Sequence, residues 1–436
     1  MNKGMHWLKK AKNTISISSI RNSRLLSNMS WLFILNFSNT IIPYFTFPYI
    51  TRVFLPEGYG ALSFSLSFVA YFQTFIDYGF NLTGARRIAT IEDDGRELSK
   101  VYTTIIATKF MFFLISVPVM VIVTLSSSVI FSYYKLIFIF ILMAFSHVLM
   151  PTWMFQGLQR VRDMTIISLS VRVLFVIGVF TLIKTPDDIT LYAILYSSSF
   201  LCIAILSIVI IRTHIKIRFC KISFADIKFM IKDGFYVFTS SAVISLMGST
   251  GIFVLGLFHS AEFSGYYSGI SKINQAITML FYPIGQALFP YHSKKYKESF
   301  HTGYRSSLKI ARLVIPIFLL FAIVIIIFRK SIVGLVLGND YILASDLLMV
   351  MAFFPTLSII SNFLGTQILV ASNHTKEYSR AFLRGATVSI ALFLLLGYFY
   401  AIWGVAAAAL GGAIANLIFL FIEVRKVAQK ECGCKL

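Results

Sequence analysis

Residues 190–211 read TLYAILYSSSFLCIAILSIVII, an apolar segment without a charged side chain. As an α-helix rising 1.5 Å per residue, this segment extends about 33 Å, which matches the roughly 30 Å of hydrocarbon in a bilayer. It lacks the strict alternation of apolar and polar residues that a half-buried strand shows. In lipid, a single helix satisfies its own backbone hydrogen bonds, whereas strands need a closed barrel. The segment therefore predicts a transmembrane helix.

Segments of this kind recur along the whole chain of 436 residues, which is 57% hydrophobic and 13% charged. An ordinary soluble domain carries about twice that charged fraction. Twelve segments predict spans, and they lie near 29–50, 61–83, 103–126, 133–155, 164–183, 190–211, 235–257, 265–290, 310–328, 343–370, 380–399 and 402–423. No polar stretch between them has the size of a soluble catalytic domain. We therefore expect an all-α polytopic membrane protein with about twelve transmembrane helices.

The net charge of +21 is typical of nucleic-acid-binding proteins as well, but its distribution argues against that partner. Lys and Arg are concentrated in short loops between the apolar segments, which is the positive-inside pattern of membrane proteins. With the N-terminus inside, 31 of the 39 Lys and Arg residues fall in inside segments, 5 in outside segments and 3 within spans. This count predicts that both termini are cytoplasmic and that the chain binds no nucleic acid.

Two short segments suggest an internal repeat. Residues 57–63 (EGYGALS) and residues 262–268 (EFSGYYS) share the pattern Glu-x-x-Gly-x-x-Ser, and each enters the second span of its half from outside. Six spans separate them, so the two halves have the same orientation, as in transporters built from parallel repeats. We expect two six-helix bundles around a central cavity. The predicted regions are a basic cytoplasmic N-tail (1–28), the first bundle (29–212), a basic cytoplasmic linker (213–234), the second bundle (235–424) and a cytoplasmic C-tail (425–436).

Ionisable residues also occur inside the predicted spans. Such a group costs several kcal/mol in hydrocarbon unless it faces a cavity or a partner. Arg172 and Lys272 lie about ten residues from a span end, near the middle of the bilayer. The candidates within spans are Asp77, Lys109, Arg172 and Lys272, and Arg52 lies at the outer end of the first span.

Two interpretations of these charges remain open. In the first, Arg172, Lys272, Lys109 and Arg52 line a cationic cavity that binds the pyrophosphate of an anionic substrate, since Arg and Lys both bind phosphate oxygens. In the second, the charges are structural: either Asp77 forms an interior salt bridge, for example with Lys109 or Arg172, or Lys109 and Arg52 extend their cations toward the interface. Asp77 is also a candidate carrier of a coupling proton.

Amide side chains within the spans have two interpretations as well. They can donate hydrogen bonds to sugar hydroxyl groups, or they can join neighbouring helices. These residues are Asn36, Asn39, Gln73, Asn274, Gln275, Gln286 and Gln367.

Several motifs resemble the polysaccharide flippase family that moves O-antigen units, within the multidrug/oligosaccharidyl-lipid/polysaccharide exporter superfamily. The resemblance covers nearly the whole chain, and its most specific parts are residues 77–82 (DYGFNL) and residues 153–157 (WMFQG). Further matching segments are residues 49–60 (YITRVFLPEGYG), 337–341 (LGNDY) and 402–407 (IWGVAA). The chain departs from the family at Gln159, where an acidic residue is common.

The resemblance implies a two-lobed fold of twelve helices with a V-shaped cavity. It implies a flippase that moves an undecaprenyl-pyrophosphate-linked oligosaccharide from the cytoplasmic to the periplasmic leaflet of the bacterial inner membrane. The implied partners are this lipid-linked glycan, the bilayer, a polysaccharide polymerase and a chain-length regulator. Such a protein is not an enzyme. We expect no cofactor and no metal, since the sequence has neither a phosphate-binding Gly-Lys-Ser/Thr loop nor a cluster of metal ligands.

Two alternatives remain. A small-molecule or multidrug antiporter of the same superfamily would prefer acidic groups for cationic drugs, whereas three of the four deep charges here are basic. A membrane-embedded polysaccharide polymerase would need a reactive outside loop. The predicted outside loops are short and hold few ionisable residues.

Overall fold

The computed structural model describes residues 4–91 and 94–432, and for residues 4–30, 32–33, 36–41 and 432 it describes the backbone alone. The side chains of Asn36 and Asn39 and the last residues of the predicted C-tail therefore lie outside the described structure. Within the described ranges all regular structure is helical. This confirms the predicted all-α class.

Sixteen α-helices follow one another along the described chain. They are α1 (Gly4–Asp77), α2 (Phe80–Ala89), α3 (Gly95–Ser126), α4 (Ser128–Phe131), α5 (Tyr134–Leu149), α6 (Thr152–Gly157), α7 (Val161–Leu182), α8 (Ile189–Ile210), α9 (Phe224–Phe258), α10 (Ala261–Met279), α11 (Tyr282–Glu298), α12 (Phe300–Ile327), α13 (Arg329–Val336), α14 (Ser345–Met351), α15 (Phe354–Asn362) and α16 (Thr375–Cys432). Short 3₁₀ helices at Pro186–Asp188 and Asn339–Ala344 and π-helical segments at Ile211–Ile215 and Phe363–Val370 complete the structure.

Nine helical segments of the described chain are long and apolar enough to cross a membrane. Two of them, Ile42–Ala89 and Thr375–Glu431, have 48 and 57 residues, more than twice the about 20 residues that one crossing needs. The predicted span 265–290, in α10 and α11, is not among the nine. The protein is a multi-pass membrane protein. The count of twelve, the orientation of the termini and the division into tails and two bundles stay predictions.

Both long helices contain a sharp internal bend. In α1 the bend is at Leu55, with φ 59° and ψ 175°. Leu55 precedes Pro56, whose ring disfavours helical geometry in the residue before it. In α16 the bend is at Tyr400 and Ala401, and Ala401 has φ 49°. Each bend lies between two predicted spans, so each is suited to reverse the chain from one crossing to the next.

Polar side chains determine where three of the long helices begin. The Asp94 carboxylate accepts a hydrogen bond from the Arg96 amide at 2.8 Å at the start of α3. Ser223 and Asp226 form a reciprocal capping box at the start of α9. Ser299 accepts from the Thr302 amide at 3.2 Å at the start of α12. Each such cap stabilises a helix by about 1 kcal/mol.

The outer surface of the helices is strongly apolar. Leu174, Leu313, Leu320 and Ile327 are each more than 60% exposed. A soluble protein rarely exposes contiguous apolar surface of this kind, whereas lipid tails cover it without cost. The buried core crosses between the N-terminal and C-terminal parts of the chain, where the rings of Phe64 and Phe253 stack at 5.4 Å.

Candidate functional site

Lys272 in α10 lies where two cavities meet. The first has a volume of about 480 Å³, and its polar lining from the C-terminal part of the chain includes Ser268, Ser271, Asn274, Ser358, Ser389 and Asn416. The second has a volume of about 270 Å³, and its lining from the N-terminal part includes Tyr44, Tyr59, Ser63, Tyr192 and Tyr196. Lys272 and Gln275 line both cavities. The predicted cavity residue Lys272 therefore faces polar space between the two parts of the chain.

The Lys272 ammonium has no acidic neighbour among the residues with described side chains. No described carboxylate lies within 4.0 Å of it. Its nitrogen lies 5.9 Å from the centre of the Tyr44 ring, a cation–π distance. The Tyr44 hydroxyl donates to the backbone carbonyl of Lys272 at 3.3 Å. The cation is held in place by an aromatic ring and remains available to an anion.

The wall of the first cavity holds polar atoms that lack hydrogen-bond partners among the described residues. Asn274 is 1% exposed, and neither its amide oxygen nor its amide nitrogen has a partner. The Ser271 hydroxyl and the Asn416 oxygen are in the same situation. A buried polar group left unpaired costs about 1–3 kcal/mol. These residues line the first cavity, so its wall is polar on this side.

Sequence reasoning singled out Asn274 and Gln275 but missed the serines and Asn416. A signal for part of this set was present. Ser268, Ser271 and Gln275 follow one another at spacings of three and four, which places them on one face of α10. Asn416 and Ser389 come from α16, and no local pattern relates them to α10.

Asp77, Lys109 and His147 form a compact polar cluster. One Asp77 carboxylate oxygen lies 2.8 Å from the Lys109 ammonium, and the other lies 3.0 Å from Nδ1 of His147. Lys109 also donates to the backbone carbonyl of His147 at 3.1 Å, and its side chain is 1% exposed. These contacts favour the interior salt bridge over a free cavity cation for Lys109. His147 was not predicted, since a lone histidine in an apolar segment gives no signal.

The turn that follows α1 determines the position of Asp77. Tyr78 and Gly79 have positive φ angles of 43° and 73°, which end the helix at Asp77. A Cβ atom at Gly79 would lie 2.6 Å from Cγ1 of Val237 in α9. Glycine is therefore required both for the left-handed backbone and for the close approach. The Asp-x-Gly motif thus fixes a carboxylate beside α3 and α5.

Arg172 in α7 is not among the residues that line these two cavities. Its guanidinium carbon lies 5.8 Å from the centre of the Phe200 ring, and its Nε atom is buried without a hydrogen-bond partner among the described residues. The Phe200 ring also contacts the ring of Tyr196, at 5.2 Å between ring centres, and Tyr196 does line the second cavity. Arg172 therefore lies behind the aromatic wall of that cavity.

Arg52 occupies a different place from the other candidates. Its guanidinium donates to the backbone carbonyl of Leu335, in the last turn of α13, where a cation is favourable to the helix dipole. A Cβ atom at Gly338 would lie 2.9 Å from Cγ of Arg52. Arg52 therefore connects the bend of α1 to the chain around residue 338.

The two copies of the Glu-x-x-Gly-x-x-Ser pattern pack against each other. A Cβ atom at Gly60 would lie 1.7 Å from the carbonyl oxygen of Ala261, and one at Gly265 would lie 1.9 Å from that of Pro56. The hydroxyl groups of Ser63 and Ser268 are hydrogen-bonded at 2.9 Å, and the two residues are 205 positions apart. The two glycine contacts are related by the same offset. The predicted repeat is therefore a symmetric contact, and its serines line the two cavities.

Ion pairs connect the two parts of the chain at another place. Arg86 in α2 pairs with Asp233 in α9 at 2.9 Å, and Lys100 in α3 pairs with Asp226 in α9 at 2.8 Å. The Arg86 and Lys100 side chains are more than half exposed. Exposed pairs of this kind contribute about 0–1 kcal/mol each.

Comparison with known proteins gives one family. The family model described as "Polysaccharide biosynthesis protein" matches residues 25–296. A protein of Escherichia coli (strain K12) named "Putative O-antigen transporter" is 25% identical over 405 residues, which is 92% of this chain and 98% of the relative. A protein of Shigella dysenteriae with the same name is 25% identical over 402 residues, 91% of this chain and 99% of the relative.

Two solved structures have a similar fold. The lipid II flippase MurJ, in an inward closed conformation, matches with a TM-score of 0.70 and 17% identity, covering 91% of this chain and 87% of that protein. An inward-facing multidrug resistance MATE family transporter of the MOP superfamily matches with a TM-score of 0.62 and 13% identity, covering 90% of this chain and 98% of that protein. The chain therefore belongs to the polysaccharide biosynthesis protein family and is a multi-pass membrane protein.

Proposed function

We propose that this protein moves an undecaprenyl-pyrophosphate-linked oligosaccharide, an O-antigen unit or a related surface glycan, from the cytoplasmic to the periplasmic leaflet of the bacterial inner membrane. One observation carries the proposal. Lys272 is a cation without an acidic partner among the described residues, and it lines two polar cavities that meet between the two parts of the chain. The names of the relatives and the fold of the lipid II flippase support the same substrate class.

In this proposal the pyrophosphate, the sugars and the lipid tail of the substrate each occupy a different environment. The Lys272 ammonium binds the pyrophosphate, since a lysine cation is a strong point charge for phosphate oxygens. Polar side chains of the first cavity's wall, among them Ser271, Gln275 and Asn416, accept and donate hydrogen bonds to the sugar hydroxyl groups. The polyprenyl tail stays in the bilayer. No covalent bond of the substrate has to change.

The remaining candidate residues act at a distance from this point. Arg172 adds positive potential behind Tyr196 and assists the second cavity. Lys109 and Asp77 neutralise each other and hold α1, α3 and α5 together. Arg52 fixes the bend of α1 to α13. This division of roles follows the contacts described above.

Transport requires that the binding site be accessible from each side of the membrane in turn. Two contacts between the N-terminal and C-terminal parts of the chain, the ion pairs and the glycine contact, are suited to open one after the other. The positive-inside count predicts that the Arg86–Asp233 and Lys100–Asp226 pairs lie on the cytoplasmic side and the Gly60–Gly265 contact on the periplasmic side. The exposed pairs break at little cost, which admits the substrate from the cytoplasmic leaflet. Separation of the glycine contact then opens the outer side. Rocking of two bundles about such contacts is the usual basis of alternating access.

An exporter of cationic drugs fits this site less well. The ionisable residue at the junction of the cavities is Lys272, which repels a cationic ligand. Expression of the protein should therefore leave susceptibility to cationic dyes and drugs unchanged. Increased resistance that depends on Lys272 would favour the drug exporter instead.

Complementation of a host that lacks its own surface-polysaccharide transporter tests the proposal. Lys272→Ala should abolish the surface polysaccharide because it removes the cation. Lys272→Arg should retain a substantial part of it, because arginine keeps the positive charge of lysine. Lys294→Ala, which removes an exposed lysine of α11, is the matched control and should behave as the unchanged protein. Immunoblots of membranes should show equal amounts of all variants. Full polysaccharide with Lys272→Ala would reject the proposal.

A further inference from the structure

A row of cations follows one face of α12, away from the cavities at Lys272. Arg305, Lys309 and Arg312 are spaced by four and three residues, so they project from the same side over about 10 Å. All three are exposed, and none has an ion-pair partner among the described residues. Three adjacent cations on one face repel one another, which makes the face a strong attractor for an anion.

A second helix turns this face into a pocket. Tyr291 and Lys295 of α11 line, together with Arg305, Lys309 and Arg312, an open cavity of about 740 Å³. Lys295 is paired with Glu298 at 3.0 Å, so the three cations of α12 carry the unneutralised charge. The pocket shares no lining residue with the two cavities at Lys272. It is a separate site.

The same face of α12 continues as an apolar surface. From Arg312 onward, Pro316, Leu320, Ile323 and Ile327 follow at spacings of four, four, three and four, and all are exposed. Residues 316–327 extend about 16 Å, close to half of the roughly 30 Å hydrocarbon thickness. A single helix face thus presents three cations at one end and a leaflet-long apolar strip at the other. This arrangement matches one anionic phospholipid, with its phosphate at the cations and an acyl chain along the apolar strip.

We propose that this face of α11 and α12 binds an anionic phospholipid of the leaflet at that end, which the positive-inside count predicts to be the cytoplasmic leaflet. The lipid phosphate contacts Arg305, Lys309 and Arg312, and an acyl chain lies along Pro316, Leu320 and Ile327. Basic pockets between transmembrane helices on the cytoplasmic side bind anionic headgroups in this way. The positive-inside pattern accounts for the three charges, but it does not require a second wall from α11. The site does not depend on the identity of the transported substrate.

Lipid binding by the purified full chain in a neutral detergent tests this site. Phosphatidylglycerol should raise the thermal unfolding midpoint of the protein and remain bound in native mass spectra, whereas phosphatidylcholine should do neither at the same concentration. Each cation contributes about five-fold to the affinity for an anionic lipid. Arg305→Gln or Lys309→Gln alone should therefore weaken binding about five-fold, and the triple Ala variant at 305, 309 and 312 about 100-fold.

A matched control distinguishes a defined lipid-binding site from general electrostatic attraction of anionic lipids to the protein. The variant with Ala at Lys216, Arg218 and Lys221 removes the same charge from the basic linker, and it should bind phosphatidylglycerol as the unchanged protein does. Equal losses in the two triple variants, or equal binding of both phospholipids, would overturn the proposal. Undecaprenyl phosphate is the third probe. If it displaced phosphatidylglycerol at a ten-fold lower concentration, the face would belong to the transported lipid and the phospholipid assignment would be wrong. The exposed single variants keep the test valid if a triple variant does not fold.

Discussion

Ser63 and Ser268 share a hydrogen bond of 2.9 Å across the contact between the two parts of the chain, and each stands at the same position of a repeated Glu-x-x-Gly-x-x-Ser pattern. Their side chains border the two cavities that Lys272 joins. The internal repeat thus marks the place where the halves meet beside the candidate binding site. A hydrogen bond between two hydroxyl groups contributes only about 1 kcal/mol, so this bond alone does not hold the contact closed.

A disulfide in place of that hydrogen bond should lock the contact. In a background with Ser at Cys202, Cys220, Cys432 and Cys434, we expect the variant with Ser63→Cys and Ser268→Cys to form a disulfide, since the two hydroxyl oxygens are already adjacent. Surface polysaccharide should disappear under oxidising conditions and return on addition of a reductant. Each single-cysteine variant serves as the control and should be insensitive to oxidation. Normal transport by the fully cross-linked protein would show that this contact does not open during transport.

Gly60→Ala should disrupt the same contact from within. The added methyl group would lie 1.7 Å from the carbonyl oxygen of Ala261, a backbone atom that moves only with its helix. We expect α1 and α10 to separate and the surface polysaccharide to fall at least ten-fold. A cysteine at position 63 should become more reactive toward an impermeant thiol reagent in this variant. Gly95→Ala is the control, since a Cβ atom at Gly95 meets nothing within 4 Å. Equal activity of the two variants would exclude tight packing at Gly60.

Removal of one partner should separate the structural from the functional role of the Asp77–Lys109 pair. Asp77→Asn leaves the Lys109 cation, which is 1% exposed, without its carboxylate. Breaking a buried pair in this way costs about 3–5 kcal/mol, so the thermal unfolding midpoint and the amount in membranes should fall. The double variant with Asp77→Asn and Lys109→Met should recover both. If the double variant also transports normally, the pair is structural. If it folds but does not transport, Asp77 takes part in coupling.

Arg172→Ala should lower transport without loss of protein from the membrane. Its guanidinium lies over the Phe200 ring, and Phe200 contacts Tyr196 in the wall of the second cavity. Arg172→Lys keeps the charge and should retain more activity than Arg172→Ala, because the expected role is a positive potential behind the wall. Arg96→Ala removes an exposed arginine of α3 and is the matched control. Full activity of Arg172→Ala would remove Arg172 from the site and leave Lys272 as its cation.

Hydropathy and motifs predicted the helical class, because this depends on residue type and spacing along the chain. For Lys109 the sequence left both a cavity cation and a salt bridge with Asp77 open, and the contacts favour the salt bridge. The bend at Leu55 also had a local signal in the following Pro56. The bend at Ala401 had none. The sequence did not reveal that Lys272 joins two cavities while Arg172 lies behind one, since apolar spans do not report how each helix is rotated against its neighbours. For the same reason the sequence did not predict the contact between His147 and Asp77, which depends on the packing of α5 against α1.

The orientation of the chain can be decided with cysteines at two loops. The positive-inside count predicts that the turn at Pro186–Asp188 is periplasmic and that Cys220 lies in a cytoplasmic linker. In intact cells, Asp187→Cys should react with an impermeant thiol reagent, because position 187 is exposed, whereas Cys220 should react only after the membrane is permeabilised. Cys202, Cys432 and Cys434 are replaced by Ser in both proteins, and Cys220 is replaced as well in the Asp187→Cys protein, so that each protein reports a single position. The reverse pattern would invert the predicted topology. It would also place the Arg305–Arg312 pocket in the outer leaflet and the Gly60–Gly265 contact on the cytoplasmic side, so the proposed direction of transport would have to be reversed with it.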